Sequence, residues 1–180
     1  SSEDKIQSVI YYDGMNKPIQ SILKKDDGLS PSIVRHYQYD ALGRQNKTFL
    51  PYSTDQNNLN PLKFTSDALQ QTYSFYNTTE YENTHNPYSE VLYDKSSLGR
   101  PIEVASQGND WNMSSGHTVK MEYQSNSAGE VKKFKVNFVN SIAEKTELVY
   151  AGSYAANELY KTIVKDENWQ ITQQFTKEHT

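Results

Sequence analysis

The stretch Tyr39-Asp40-Ala41-Leu42-Gly43-Arg44 is one of three related phrases in this chain of 180 residues. The other two are Tyr12-Asp13-Gly14-Met15-Asn16-Lys17 and Tyr93-Asp94-Lys95-Ser96-Ser97-Leu98-Gly99-Arg100. All share an aromatic residue, an aspartate, a short gap, a Gly or Asn, and then a base. A phrase repeated in this way predicts an array of similar β units and argues against a single catalytic pocket.

Each position of the phrase has a physical role in a hairpin turn. The Tyr ends a strand with a large, half-buried surface, and the Asp accepts a hydrogen bond from the backbone two residues on. The Gly or Asn supplies a positive φ, and the base begins the returning strand with its charge in water. We therefore predict structural turns at Tyr12, Asp13, Asn16, Tyr39, Asp40, Gly43, Arg44, Tyr93, Asp94, Gly99 and Arg100.

A fourth copy is weaker. Residues 164–170 read Val-Lys-Asp-Glu-Asn-Trp-Gln, so Trp169 stands where the other copies have Gly or Asn. Because a bulky residue disfavours positive φ, this copy is doubtful as a turn of the same kind.

Composition limits the function classes. The net charge is −4, with both signs mixed, so we expect no nucleic-acid partner. The chain has no Cys, which excludes disulfides, a thiol nucleophile and Cys metal sites. No apolar run is long enough to span a bilayer, so we expect no membrane insertion. The polar start, residues 1–5, is no signal peptide, so we expect a removed signal or an excised segment.

Tyrosine is unusually frequent. The chain has 14 Tyr and 6 Phe, and its mean hydropathy is −0.85. The abundance favours aromatic packing on sheet faces; the alternative is an aromatic platform that binds sugar.

The secondary-structure pattern predicts a mainly β fold, built from antiparallel hairpins in a meander, with one short helix near 66–76. Thr65 or Ser66 is the expected helix cap, and Leu69, Thr72, Tyr73 and Tyr76 share one side. Residues 51–61 are polar and predict a surface excursion. We expect one β-rich module over 1–180, with further repeat-like strands over 139–180.

The most regular alternation lies between residues 119 and 138. Val119, Met121 and Tyr123 alternate, as do Phe134, Val136 and Phe138, with turn residues at 125–130. This pattern predicts that the two segments pair as a hairpin.

Catalytic and metal motifs are weak. The four histidines, His36, His85, His117 and His179, are not at metal-ligand spacing. Residues 26–28 and 108–110 lack the oxygen-ligand ladder of a calcium loop and are interpreted as turns. We expect no enzyme activity, no cofactor and no metal site.

Two aromatic residues form a candidate binding surface, Tyr88 and Trp111. Trp111 lies in a polar loop among Gly and Asn residues. Exposed, it would stack on a sugar or a peptide; folded back, it would plug the end of the sheet, which is the commoner arrangement.

The Tyr-Asp-x-x-Gly-Arg phrase resembles the YD repeat of Rhs and teneurin-like proteins. Over residues 6–138 the order of landmarks is also similar to an N-terminal domain of unknown function in Rhs-family proteins of Bacteroidetes. These landmarks are Tyr12-Asp13-Gly14, Tyr39 to Arg44, Leu50-Pro51-Tyr52, Phe75-Tyr76-Asn77, Asn86-Pro87-Tyr88-Ser89-Glu90, Gly108-Asn109-Asp110-Trp111 and Gly116-His117-Thr118.

The resemblance implies a segment of a secreted or cell-surface β-shell. In such proteins YD repeats wind into a hollow shell, often around a C-terminal effector or toxin. It also implies partners: downstream YD repeats of the same polypeptide, the C-terminal effector, and secretion machinery. Two alternatives stay open, an extracellular β module that binds glycan or protein, and a substrate of the type IX secretion system.

Overall fold

A computed structural model describes residues 5–27, 30–55, 60–138 and 146–177. It is mainly β, with antiparallel strands in a meander and one α-helix, as the sequence predicts. Residue contacts divide the chain into two compact units, Ser1–Thr118 and Val119–Thr180. The single module over 1–180 stays a prediction.

Unit 1 is an antiparallel sheet with one helix. Its elements are β1 (Ile6–Tyr12), β2 (Pro18–Lys25), β3 (Ile33–Gln38), β4 (Lys47–Phe49), β5 (Tyr52–Ser53), α1 (Ala68–Tyr76), β6 (Tyr88–Tyr93) and β7 (Pro101–Ala105). Hydrogen-bonded neighbours follow the order β1, β2, β3, β4, β6, β7, and β5 pairs with β3.

The core of unit 1 lies between the sheet and α1. Ile22 of β2 and Val34 of β3 are paired in register and almost completely buried, with Tyr52 and Ala68 beside them. Burying a face of this kind is the main source of stability for a sheet. Residues 51–61 were predicted to be a surface excursion, but Tyr52 is part of this core because β5 pairs with β3.

The predicted helix is confirmed, although its cap is not. The helix begins at Ala68, and its N-cap residue, Asp67, makes no side-chain cap hydrogen bond. Thr65 instead pairs with the buried Gln20, whose amide donates to the Thr65 carbonyl (2.8 Å) and accepts from the Thr65 N–H (2.9 Å). This long-range contact fixes the entry to α1 and replaces a local cap.

Unit 2 contains five strands: β8 (Val119–Ser125), β9 (Lys132–Phe138), β10 (Thr146–Ser153), β11 (Tyr160–Lys165) and β12 (Ile171–Thr176). β11 pairs with β8 on one side and with β12 on the other, and β9 pairs with β10. The predicted hairpin between residues 119 and 138 is therefore wrong.

The buried side chain of Asn126 explains the different pairing. Its carbonyl oxygen accepts from the Leu159 N–H (2.8 Å), and its amide donates to the Ala155 carbonyl (2.8 Å). Its backbone N–H donates to the Leu159 carbonyl (3.1 Å). Asn126 thus ties the end of β8 to the segment that leads into β11, and the chain that follows is free to pair β9 with β10.

The β9–β10 ribbon carries one bare apolar face, which we call the ribbon face. Residues on this face are paired across the two strands, Phe134 with Tyr150 and Val136 with Leu148. Every large apolar side chain on it is half or more exposed; these are Phe134, Val136, Phe138, Leu148 and Tyr150. A two-stranded ribbon is marginally stable alone, so this face is of the kind that another layer covers.

Candidate functional site

The geometry that recurs in the site is an Asp-centred turn, called here the Asp turn. In the Asp40 copy the Asp40 N–H donates to the Arg44 carbonyl (2.8 Å), and the Gly43 N–H donates to the Asp40 carbonyl (2.9 Å). The Asp40 carboxylate accepts from the backbone N–H groups of Leu42 and Arg44, both at 2.9 Å. Gly43 has φ of +75°, as the sequence predicts for this position.

The Asp13 copy repeats this pattern. Its carboxylate accepts from the N–H groups of Met15 (2.8 Å) and Lys17 (2.9 Å), and Asn16 has φ of +62°. In both turns the aspartate carboxylate accepts the backbone N–H groups and a residue in the left-handed conformation completes the chain reversal, as expected for turns that begin with aspartate.

The Asp94 copy accommodates two extra residues through Ser96. The Ser96 hydroxyl donates to the Asp94 carboxylate (2.8 Å) and accepts from the Leu98 N–H (3.3 Å). The Arg100 N–H still reaches the same carboxylate oxygen (3.0 Å), and Gly99 has φ of +55°. The serine therefore bridges the insertion without changing either end of the turn.

The doubtful fourth copy is an Asp turn of the same kind. The Asp166 carboxylate accepts from the N–H groups of Asn168 (3.0 Å) and Gln170 (2.8 Å), and the Trp169 N–H donates to the Asp166 carbonyl (3.0 Å). Trp169 adopts φ of +64°. Four turn hydrogen bonds hold a residue in a conformation that costs a non-glycine residue about 1–2 kcal/mol.

Successive turns contact one another through their bases. Lys17 of the first copy donates from Nζ to the Gly43 carbonyl of the second (3.0 Å) and lies 5.2 Å from the Tyr39 ring. A Cβ on Gly43 would lie 2.0 Å from this Nζ. Lys17 therefore binds the next turn, a contact that the sequence does not predict, and Gly43 leaves the space that Lys17 occupies.

The same contact recurs one copy further on. The Arg44 guanidinium lies 4.3 Å from the centre of the Tyr93 ring, and a Cβ on Gly99 would lie 3.0 Å from its terminal nitrogen. A cation over an aromatic face contributes about 0.5–1 kcal/mol when exposed. Lys17 is the base of the first phrase but is not among the predicted turn residues, although its position matches those of Arg44 and Arg100.

Two of the turn aspartates have lowered pKa values. Hydrogen bonds from the backbone and side chain of Arg44 hold the pKa of the Asp40 carboxyl below its usual value, with a salt bridge at 2.8 Å. Burial opposes ionisation of Asp94, but hydrogen bonds from Ser96 and Arg100 outweigh it and lower its pKa. Both carboxylates act as fixed acceptors within the turns, which suits a structural role.

The two candidate binding aromatics line different clefts of unit 1. Tyr88 lines a cleft of about 500 Å³, the Tyr88 cleft, while Trp111 lines one of about 570 Å³, the Trp111 cleft. Asn109 and Asn112 line both. Trp111 is 43% exposed, so the expectation that it folds back as a plug is wrong.

Tyr88 is engaged by neighbouring side chains. Phe49 and Tyr73 pack on its ring with centroid distances of 5.2 Å and 6.3 Å, and Lys47 Nζ lies 4.2 Å from the ring centre. Tyr88 therefore serves sheet packing, the favoured interpretation of the abundant tyrosines.

The histidines are separate. His36 packs edge-on against Phe49 at 5.5 Å, and burial lowers its pKa. His85 and His117 are exposed, and His179 lies outside the described residues. Among the described ranges, no group of three or more His, Asp or Glu residues is placed to hold a metal ion. Nor does any described helix have the length and apolar character needed to cross a membrane.

Comparison with known proteins gives one family. No curated protein matches the chain. A family model described as a domain of unknown function (DUF6443) matches residues 1–125, which include the first three Asp turns and both clefts. The fourth turn lies outside the match. Because the match spans more than half of the 180 residues, this chain belongs to the DUF6443 family.

Proposed function

We propose that this chain is a structural segment of a secreted or cell-surface β-shell of the YD-repeat (Rhs) type. The segment packs against further repeats of the same polypeptide, and the shell helps to enclose a C-terminal effector or toxin. The contact between successive turns carries this proposal: the base of one copy lies on the Tyr of the next. Such a contact repeats with each added hairpin, which is the property an array requires.

The outer strand supports an array that continues past β1. Within the described residues β1 pairs only with β2, so one edge of β1 is unpaired. Tyr12 holds in the first phrase the position that Tyr39 and Tyr93 hold in theirs, and it is 52% exposed. A neighbouring hairpin would pair with this edge and place its own base on Tyr12. Unpaired edges of this kind are sites of strand addition.

The ribbon face supports the same role from the other unit. Five large apolar side chains on one side of a two-stranded ribbon exceed the scattered exposure of an ordinary surface. In a shell, a following repeat would cover them.

Hydrogen exchange tests the proposal. The 180-residue chain is compared with the complete polypeptide encoded by its gene, and backbone exchange is followed by mass spectrometry. We expect the β1 peptide to exchange more slowly in the complete polypeptide, because its outward N–H groups become paired. The β2 peptide is the matched control, since β2 is already paired on both sides. Equal exchange of β1 in both proteins, or a gene without further repeats, would overturn the proposal.

A pair of substitutions tests the ribbon face in the same two proteins. Phe134→Lys places a charge on the ribbon face, and Asn137→Lys places the same charge on the opposite face of β9. In the complete polypeptide we expect Phe134→Lys to lower the free energy of unfolding by about 3 kcal/mol and Asn137→Lys to lower it by less than about 0.5 kcal/mol. In the 180-residue chain both substitutions should leave the free energy of unfolding nearly unchanged. A neutral Phe134→Lys in the complete polypeptide would show that no repeat covers this face.

A further inference from the structure

The loop that follows β7 presents an aromatic ring to solvent. A short 3₁₀ turn, Asn109–Trp111, carries Trp111 at its end, and the indole is 43% exposed. His117 flanks the indole, with ring centroids 5.5 Å apart at 57°. The exposed indole is a flat apolar platform with a polar edge, and the tilted His117 ring borders it.

Hydrogen bonds fix the loop beneath this platform. The side-chain oxygen of Asn109 accepts from the His85 N–H (3.0 Å), and its side-chain amide donates to the Asn83 backbone carbonyl (3.2 Å). The side-chain oxygen of Asn112 accepts from the Ser114 N–H (2.9 Å). Because these amides are committed to the loop, Trp111 is held in position before any ligand arrives, which reduces the entropy lost on binding.

The lining of the Trp111 cleft limits its ligand. The cleft has a volume of about 570 Å³ and is lined by Asn109, Asp110, Trp111, Asn112, Ser115 and His117. These residues include a carboxylate and no Lys or Arg, so the cleft holds no permanent positive charge that would favour an anion. They do offer an imidazole and a carboxylate beside an aromatic floor. This combination suits a neutral ligand with one apolar face and many hydroxyl groups.

We propose that the Trp111 cleft binds a neutral oligosaccharide, with one sugar ring stacked on the indole. Asp110 and His117 hydrogen-bond the hydroxyl groups at the edge of that ring. The Tyr88 cleft, which shares Asn109 and Asn112, gives a second sugar unit a place to extend. This site goes beyond the shell role proposed above and does not depend on it.

Fluorescence provides the test, because the chain has only two tryptophans. Trp169→Phe leaves Trp111 as the sole reporter, and Trp111→Phe leaves Trp169 as the matched control. Each variant is titrated with cellohexaose, xylohexaose, mannohexaose, maltohexaose and chitohexaose up to about 10 mM, which detects millimolar dissociation constants. We expect at least one of these probes to give a saturable emission change in Trp169→Phe, and none in Trp111→Phe.

Calorimetry then separates the platform from other surfaces. Introduced singly into the unmodified chain, Trp111→Ala should lower the affinity for the responding saccharide by at least about tenfold, and Asp110→Asn should lower it by less. The circular dichroism spectrum should be unchanged in both variants. Affinity should rise from disaccharide to hexasaccharide. The proposal is overturned if no probe gives heat or an emission change, or if Trp111→Ala binds as well as the unmodified chain. Binding of tetramethylammonium without any saccharide would also overturn it, since the cleft would then recognise a cation.

Discussion

The helix-covered sheet of unit 1 and the bare β9–β10 ribbon of unit 2 place a valine in opposite environments. Val34 shares its face of β3 with His36 and Gln38, whereas Val136 shares its face of β9 with Phe134 and Phe138. Val34 is 1% exposed beneath α1, whereas Val136 is 56% exposed. Alternation thus determines which residues share a face, and a second layer determines whether that face stabilises the fold.

The largest effect is expected from truncating the same residue type in both regions. Val34→Ala removes two buried methyl groups and leaves a cavity, so the free energy of unfolding should fall by about 2–3 kcal/mol. Val136→Ala, matched in residue type and strand context, should cost about 0.5 kcal/mol. Urea unfolding of the two variants measures both. Equal losses would mean that the ribbon face is covered in solution and would remove the contrast.

A smaller effect separates an interlocked turn from an open one. Gly43 and Gly129 have nearly equal φ, +75° and +77°, but a Cβ meets Lys17 at Gly43 and nothing within 4 Å at Gly129. Gly129→Ala should cost about 1 kcal/mol from the backbone alone, and Gly43→Ala about 2 kcal/mol because Lys17 is also displaced.

A double mutant checks the origin of that difference. In a Lys17→Met background, Gly43→Ala should cost no more than Gly129→Ala, as judged by urea unfolding. A difference that persists in this background would assign the extra cost to something other than Lys17.

The next effect has the opposite sign. Trp169→Gly relieves a bulky residue at φ of +64°, so the free energy of unfolding of unit 2 should rise by about 1 kcal/mol. Lys120 lies 5.4 Å from the indole, and this contact is lost in the variant. Thermal unfolding of Trp169→Gly and Trp169→Asn measures the gain, with Asn intermediate. A loss in both variants would show that the Lys120 contact outweighs the strain.

The smallest effect concerns acid. The folded-state pKa values of Asp40 and Asp94 lie below the ordinary value of 3.8. Their stabilising contribution is therefore complete above pH 3.8 and is lost as the pH falls through the lower folded values. The free energy of unfolding, measured between pH 6 and pH 2.5, should fall less steeply with acid in the double variant Asp40→Asn/Asp94→Asn than in the unmodified chain. Glu147→Gln, on the exposed ribbon, is the control and should leave the acid decline unchanged. An equal change in the control and in the double variant would mean that the decline does not originate in the turn aspartates.

Local chemistry explains what could be predicted from the sequence. The turn at Asp40 is specified within six residues, because the acceptor, the left-handed position and the returning base are all adjacent. The helix at 68–76 follows from apolar spacing of the same short range. The Asp166 turn shows that the aspartate matters more than the residue type at the left-handed position, since its hydrogen bonds impose positive φ on Trp169.

Long-range contacts explain the features that could not be predicted from the sequence. The pairing of β8 with β11 depends on Asn126, whose partners at residues 155 and 159 have no local signature. The burial of Tyr52 depends on β5 pairing back onto β3.

The candidate site was predictable only in part. Tyr88 and Trp111 were both selected as aromatic residues in polar surroundings, but exposure distinguishes them. The ring of Tyr88 is occupied by Phe49, Tyr73 and Lys47, while Trp111 remains accessible. Which ring faces solvent depends on neighbours that come from other strands and from α1.

The contact of Arg44 with Tyr93 changes how repeated Asp turns should be sought in a sequence. Residues 50–87 separate β4 from β6, yet these two strands pair directly and the contact between the second and third copies is intact. Strand adjacency is therefore constrained, and the length of chain between copies is not. The segment that carries α1 lies between these two hairpins, so a search for a fixed period would overlook Asp turns that contact one another.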